Sequence, residues 1–242
     1  MPPPPPKALP QHILHLFEDP HTLAVFKPAG MLSVPAKNQE PSLEEILKAH
    51  LDNNIQAVHR IDKVTEGILL FAKTQYGNSA LLNAFQRRLV DKRYLVVAEG
   101  CVPFKKTTVE ESLQKTQLVY KGQKHFVQNI DADGQKASTH FRVWASNEKA
   151  SLLEARPFTG RMHQIRAHLS HLGFPIAGDL LYGAKHPYSK GNIALCAAAL
   201  NFPPPKGKRV SVVATPSKAF TRVCEKLELP WDDVITHLKN EL

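Results

Sequence analysis

Hydrophobic positions along this chain follow two rhythms. Short apolar runs at Thr22–Phe26, Ile68–Lys73, Tyr94–Ala98, Ile193–Leu200 and Val210–Ala214 are bounded by Gly, Pro or charged residues, which predicts strands, and the unbroken run at Ile68–Lys73 predicts one buried on both faces. Ser138–Ala145 alternates, with Thr139, Phe141 and Val143 on one side, and Leu152–Ala155 is expected to pair with it. Lys27-Pro28-Ala29-Gly30 and Phe202-Pro203-Pro204-Pro205-Lys206-Gly207 read as a turn and a loop.

Other segments carry helical spacing. Ser42 can cap a helix that runs to about Leu51, with Glu45 reaching back to close a capping box. Asn78–Leu89 is amphipathic, with Leu81, Leu82, Phe85 and Leu89 expected inward. Met162–Leu172 places Ile165, Leu169 and Leu172 on one stripe, and Gly173 suits its left-handed end. Ser217–Leu227 is a further helix and Asp232–Lys239 a short last one. The polar stretch Cys101–Lys136 has no strong period and reads as strands and loops. Strands in succession with irregularly inserted helices predict an α+β fold. No repeat or linker interrupts residues 11–242, which are expected to form one domain behind a proline-rich, extended arm at 1–10.

Composition narrows the function. The chain has 242 residues, 43% of them apolar, and carries 31 basic against 22 acidic side chains for a net charge of +9. That surplus favours anionic partners, nucleic acid first among them. Cys101, Cys196 and Cys224 are odd in number and widely spaced, so neither a zinc site nor a disulfide framework is supported, and reduced thiols in a cytoplasm fit. Pro2–Pro6 does not resemble a signal peptide, and the Ile193–Leu200 run is too short to span a bilayer. No membrane association is expected.

Two basic segments concentrate the candidate chemistry. The first, His59-Arg60-Ile61-Asp62-Lys63-Val64-Thr65-Glu66-Gly67, sets one acid, Asp62, among cations just ahead of the buried strand. A carboxylate kept ionised by cations suits nucleophilic or general-base work; its bland alternative is a surface ion pair. Thr65 can hydrogen-bond locally to fix the loop, and Gly67 permits a tight path into Ile68. The second is Thr159-Gly160-Arg161-Met162-His163-Gln164-Ile165-Arg166-Ala167-His168-Leu169. Arg166 lies about 100° round from Ile165, on the flank of the buried stripe, where it either pairs with a carboxylate or snorkels to solvent. Thr159-Gly160-Arg161 running into a helix start can bind phosphate. Tyr94, after Lys92-Arg93, can stack on an unpaired base or simply half-bury in its strand. His163, His168 and His171 suggest a metal site, but His163 and His168 are five apart and do not share a helix face; Asp131-Ala132-Asp133-Gly134 breaks the calcium-loop pattern, and no GxSxG or GxGxxG occurs.

The two segments together resemble a known family. His59-Arg60-Ile61-Asp62-x-x-Thr65-x-Gly67-Ile68-Leu69-Leu70-Phe71-Ala72-Lys73 is similar to the HRLDxxTSGLLLFAK signature of the RluA-type pseudouridine synthases. Thr159-Gly160-Arg161-x-His163-Gln164-Ile165-Arg166-x-His168-Leu169 resembles that family's second signature, extended by Pro175-Ile176-x-Gly178-Asp179-x-x-Tyr182-Gly183. Lys92-Arg93-Tyr94 resembles its K-x-Y strand and Phe26-Lys27-Pro28-Ala29-Gly30 its opening turn, so the landmarks run from residue 26 to residue 183. Glu66 stands where the family usually has serine, Ile61 where it has leucine, and Met162 where it has Thr or Ser; Glu66 adds a negative charge near Asp62.

The resemblance implies an enzyme that isomerises uridine to pseudouridine within ribosomal or transfer RNA, on a mixed, largely antiparallel sheet crossed by a basic cleft. It implies Asp62 as the essential acid, Arg166 as its partner and Tyr94 against the target base, with His59, Arg60, Thr65, Arg161, His163 and Gln164 expected to contact RNA. No cofactor and no metal are implied, a monomer is expected, and the small S4-like RNA-binding domain of some relatives is not. The base would be flipped from its stack, and Arg60 or His59 would fill the gap. Attack at the ribose, attack at the base and elimination all remain open to Asp62. The rival readings are an RNA-binding or chaperone protein on the same fold without turnover, and a phosphate-handling hydrolase built on Thr159–Arg161, which lacks the metal ligands such chemistry usually needs.

Overall fold

The computed structural model describes residues 13–37, 40–189 and 191–241; the proline-rich segment 1–10 lies outside them. In chain order the strands and helices are β1 (Leu14–Glu18), β2 (Thr22–Lys27), α1 (Leu43–His50), β3 (Gln56–Ala57), β4 (Glu66–Ala72), α2 (Gln75–Gln86), β5 (Asp91–Glu99), β6 (Lys106–Val109), β7 (Leu113–Tyr120), β8 (Gln123–Ile130), β9 (Thr139–Ser146), β10 (Ala150–Pro157), α3 (Gln164–His171), β11 (Leu195–Phe202), β12 (Val210–Val213), α4 (Lys218–Lys226) and α5 (Trp231–Glu241), with one 3₁₀ turn at Leu180–Tyr182.

One large sheet runs β1-β2-β4-β11-β5-β10-β9-β6, with β3 added to β4 and β12 to β11. Its pairings are antiparallel except for β4 with β11, where Cys196 faces Glu66 and Ala197 faces Gly67. Hence the fold is α+β with a mixed, mostly antiparallel sheet. The register explains the unbroken apolar run in β4. Leu69 and Phe71 point with Leu23 and Val25 toward Leu43 and Leu47 of α1, while Ile68, Leu70 and Ala72 face the larger core on the other side. Both faces are covered, so every residue of β2 and β4 is buried.

Gly67 makes the central crossing possible. Its φ is +120°, and a Cβ there would stand 2.4 Å from the Ala197 carbonyl oxygen, so no other side chain fits between the two strands. This crossing lies immediately behind Asp62 in the chain.

Several expectations shift in detail. The capping box at Ser42 and Glu45 is present, with Ser42 N donating to Glu45 at 2.9 Å. α2 starts earlier than its apolar pattern suggests, because Thr74 caps it by accepting from Gly77 N at 3.0 Å, and it ends at Gln86. Leu81 is buried, but Leu82 and Leu89 are exposed, the latter falling beyond the helix. β9 pairs with β10 as expected, through a bulge at Leu152/Leu153. The polar stretch after Cys101 holds β6 and a hairpin, β7–β8, that forms its own two-stranded sheet. The root of that hairpin covers α3, where Leu113 and Val127 pack with Ala167 and Tyr182. α3 is therefore buried from Gln164 through Leu169 on all sides, not along one stripe. No helix among the described residues is long and apolar enough to cross a membrane.

Candidate active site

Three loop ends converge above the β4–β11 crossing. The first carries Asp62, held by the Thr65 N–H donating to its carbonyl at 3.0 Å. A fully buried lysine pins this loop from below. Lys27 Nζ donates to the carbonyls of Pro28 and Met31 at 2.8 Å each and of Lys63 at 3.3 Å. Burial lowers its pKa to about 7, opposed by the nearby Asp62 and Glu66 carboxylates. Glu66 does not turn toward Asp62's partner: its carboxylate accepts from Ser217 N at 2.9 Å, and burial raises its pKa.

The second end is the start of α3. Gln164 uses its whole amide there, donating to Ser138 O and Thr139 Oγ1 at 2.9 Å each and accepting from Thr159 Oγ1 at 2.6 Å and Arg161 N at 3.0 Å. It thus fixes the 159–161 loop, and the Arg161 N–H is not free for a phosphate. Two residues on, Arg166 is buried at 4% exposure, so it does not snorkel. Its Nε and Nη2 form a fork with Asp179 at 2.7 and 2.8 Å, and its Nη1 reaches Asp62 Oδ2 at 3.2 Å. Although burial opposes it, the paired carboxylates, Asp179 first, raise the guanidinium pKa, so the cation is permanent.

The third end is the turn that delivers Asp179. Gly178 adopts φ +86°, and a Cβ on it would strike Tyr188 Cβ at 2.2 Å, so the chain bends tightly there. The following 3₁₀ turn presents Tyr182, whose ring lies 4.8 Å from the Arg166 guanidinium carbon.

These elements wall a cavity of about 580 Å³. All nine residues expected from the sequence line it: Asp62, Arg166 and Tyr94, with His59, Arg60, Thr65, Arg161, His163 and Gln164. Their environments differ. Tyr94 on β5 pairs in register with Ala155 and Ala197, and its ring lines the cavity while packing partly against the core. Burial, then Asp62, raises its pKa, so the phenol stays protonated. His59 accepts from Leu70 N at 3.0 Å and stacks on Phe85 at 4.7 Å. Burial lowers its pKa to about 3, making it a neutral wall of the cavity. Thr65 is buried, and its hydroxyl has no hydrogen-bond partner among the described residues. His168 is a satisfied core histidine, bonded to Thr139 Oγ1 and Glu111 O at 3.0 and 3.2 Å.

At the rim, Arg60, Arg88 and Arg161 are exposed, and none pairs with a carboxylate among the described residues. The exposed Phe158 adds a second aromatic at the mouth. Among the described residues only one oxygen of Asp62 is engaged: Arg166 and, at 3.7 Å, His163 Nε2 both approach Oδ2. The arrangement is an anchored carboxylate with one oxygen to spare, beside an aromatic ring and under a cationic rim. Among the described residues no group of three or more His, Cys, Asp or Glu is placed to hold a metal ion. Lys27, Asp179, Tyr182, Arg88 and Phe158 have no role legible in the chain by their own residue pattern. Gly178-Asp179 and Tyr182-Gly183 carried a signal only as an extension of the second signature.

Comparison with known proteins identifies the family. Residues 21–171 match the RNA pseudouridylate synthase family model. The chain is 36% identical over 176 residues to an uncharacterized RNA pseudouridine synthase of Bacillus subtilis, covering 69% of this chain and 57% of that protein. It is 37% identical over 181 residues to ribosomal large subunit pseudouridine synthase C of Rickettsia prowazekii, covering 72% and 58%. Among solved structures, human RNA pseudouridylate synthase domain containing 4 superposes with a TM-score of 0.72 at 21% identity, over 89% of this chain and 93% of that one, which bears on the fold. The chain belongs to the RNA pseudouridylate synthase family. It is of the RluA type, and it spans less than three fifths of the length of the two bacterial relatives it is compared with.

Proposed function

We propose that residues 11–242 act as one catalytic domain that isomerises uridine to pseudouridine in structured RNA, with ribosomal RNA as the first substrate to test. The observation that carries this reading is the carboxylate of Asp62, held through Oδ2 by a buried arginine that is itself anchored on Asp179. Such an acid is aimed without being consumed by its partner. Its Oδ1 meets no partner among the described residues and is the oxygen left to react.

The target uridine leaves its stack, at a cost of roughly a few kcal/mol, and enters the cavity. Tyr94 stacks on the base, and the rim arginines hold the flanking phosphates. Arg60 is the exposed side chain available to fill the vacated position, since His59 is engaged by Leu70 N and Phe85. Asp62 then assists cleavage of the N1–C1′ bond, the uracil turns in place, its C5 bonds to C1′, and the C5 hydrogen leaves as a proton to solvent while N1 takes up a proton. A binding protein without turnover has no use for an anchored acid with a free oxygen, and that favours the enzyme.

The test is tritium release from ribosomal and transfer RNA carrying [5-³H]uridine, with chromatography of the digested product. Release from ribosomal RNA with pseudouridine formed is the expected result. Tight RNA binding with no release from either RNA defeats the reading in favour of a non-catalytic RNA-binding protein.

A further inference from the structure

We propose that Tyr182 is a positioning residue for this reaction: its hydroxyl fixes the tautomer of His163 so that an imidazole N–H is aimed at Asp62. This rests on the reading of Asp62 as the reacting acid.

His163 Nδ1 lies 3.0 Å from the Tyr182 hydroxyl, and its Nε2 lies 3.7 Å from Asp62 Oδ2. The same Tyr182 oxygen accepts the backbone N–H of Gln128, on β8, at 2.7 Å. Burial lowers the His163 pKa to about 4, with Arg166 and Arg60 adding to the shift and Asp62 and Asp179 opposing it. The ring is therefore neutral near pH 7 and carries one N–H. Tyr182 is pushed the other way, up to about 12, so it keeps its proton.

Only one placement of those hydrogens satisfies every group. With the phenol donating to Nδ1, the imidazole N–H sits on Nε2 and faces the carboxylate. In the other tautomer Nδ1–H points at the phenol, whose own hydrogen then has no acceptor among the described residues, and a bare Nε2 lone pair faces the anion. At 3.7 Å the Nε2–H steers Asp62 without clamping it, and together with Arg166 it draws Oδ2 away from the reaction and leaves Oδ1.

The backbone points the same way. His163 takes φ +53°, a left-handed conformation that glycine would adopt without strain, so the imidazole contacts offset a local cost. Tyr182 touches both groups that face Asp62, through its ring to Arg166 at 4.8 Å and through its oxygen to His163. Because that oxygen also holds Gln128 N–H, one atom joins the seating of the β7–β8 hairpin to the orientation of the acid.

Tyr182→Phe keeps the ring and removes the oxygen. With one hydrogen bond lost from the chain that orients Asp62, kcat should fall about tenfold with KM within about twofold. In ¹⁵N-labelled protein, the His163 ring should lose its uniform Nε2–H signature and show both tautomers. Unchanged kcat, or an unchanged tautomer signal, overturns the proposal. Should Tyr182→Phe fail to fold, the pair His163→Gln and His163→Ala decides. The glutamine amide can place an N–H where Nε2 stands and should retain most of kcat, while alanine should lose about tenfold. Equal losses, or no loss, overturn it. If wild-type protein makes no pseudouridine, the enzymatic reading fails by itself, and the tautomer signal still reports on Tyr182.

Discussion

Replacing Asp179 by Asn should unfold the site before it alters the chemistry, and replacing Asp62 by Asn should do the opposite. Arg166 is 4% exposed and its fork rests on Asp179, which is 1% exposed, through bonds of 2.7 and 2.8 Å. Removing one member of a buried pair strands the other charge, at a cost of about 3–5 kcal/mol. For a chain of this size that is a fall of about 10 °C in Tm. Asp62 is different: its side chain is 25% exposed and gives Arg166 a single bond of 3.2 Å, while the fork stays in place without it. Asp62→Asn should therefore cost about 1 kcal/mol, or about 3 °C. Thermal unfolding followed by circular dichroism, beside tritium release, reads both. The expected pattern is two inactive variants of unequal stability, with Asp179→Asn far the weaker. Should Asp62→Asn prove the less stable of the two, or Asp179→Asn turn over normally, the division between anchor and reacting acid is mistaken.

His59 and His163 are held neutral, with pKa values lowered to about 3 and about 4. The unfolded chain takes up protons there near pH 6.5, so stability is full above that pH and declines as pH falls toward 4, by about 3 kcal/mol per histidine. Denaturant titrations at pH 7 and 4.5 should show this, and His163→Gln should remove part of the decline; equal slopes for the two proteins refute it. Gly67→Ala should destabilise by more than about 3 kcal/mol, because the added Cβ meets the Ala197 carbonyl oxygen at 2.4 Å, whereas Gly160→Ala, with open space around it, should stay within about 0.5 kcal/mol. Equal melting curves for the two glycine variants contradict that packing. Arg88→Ala and Arg161→Ala should each lower the slope of log Kd against log salt by about 0.7 on single-stranded RNA, with kcat at saturating RNA retained; an unchanged slope removes those side chains from the RNA path.

Much of this fold is legible in the chain because strands and caps are local. The apolar run of β4 and the capping box at Ser42 and Glu45 need only their own residues to be read. The extent of α2 is less so: Thr74 caps it three residues ahead of its first glycine, while the apolar pattern continues past its end to Leu89. The site divides in the same way. Asp62 and Arg166 stand in recognisable basic strings, but their meeting depends on Asp179, whose carboxylate reaches Arg166 only because Gly178 bends the chain back. The full burial of Arg166 was hidden because the hairpin that covers α3 comes from the stretch with no periodicity. Gln164 looked like an RNA contact by its place in the string, yet all four of its amide valences are spent inside the fold. A side chain's partners across a loop are set by topology, which spacing along one segment does not encode.

The central claim is that the Asp62 carboxylate does the chemistry and the rest of the site aims it. Its most direct measurement is paired: the Kd for ribosomal RNA and the tritium released from it, for wild-type protein and Asp62→Asn at equal concentration. The account assigns the phosphate contacts to the rim arginines, so it predicts Kd values within about threefold of each other, and no release by the variant. Release by Asp62→Asn at the wild-type rate contradicts it.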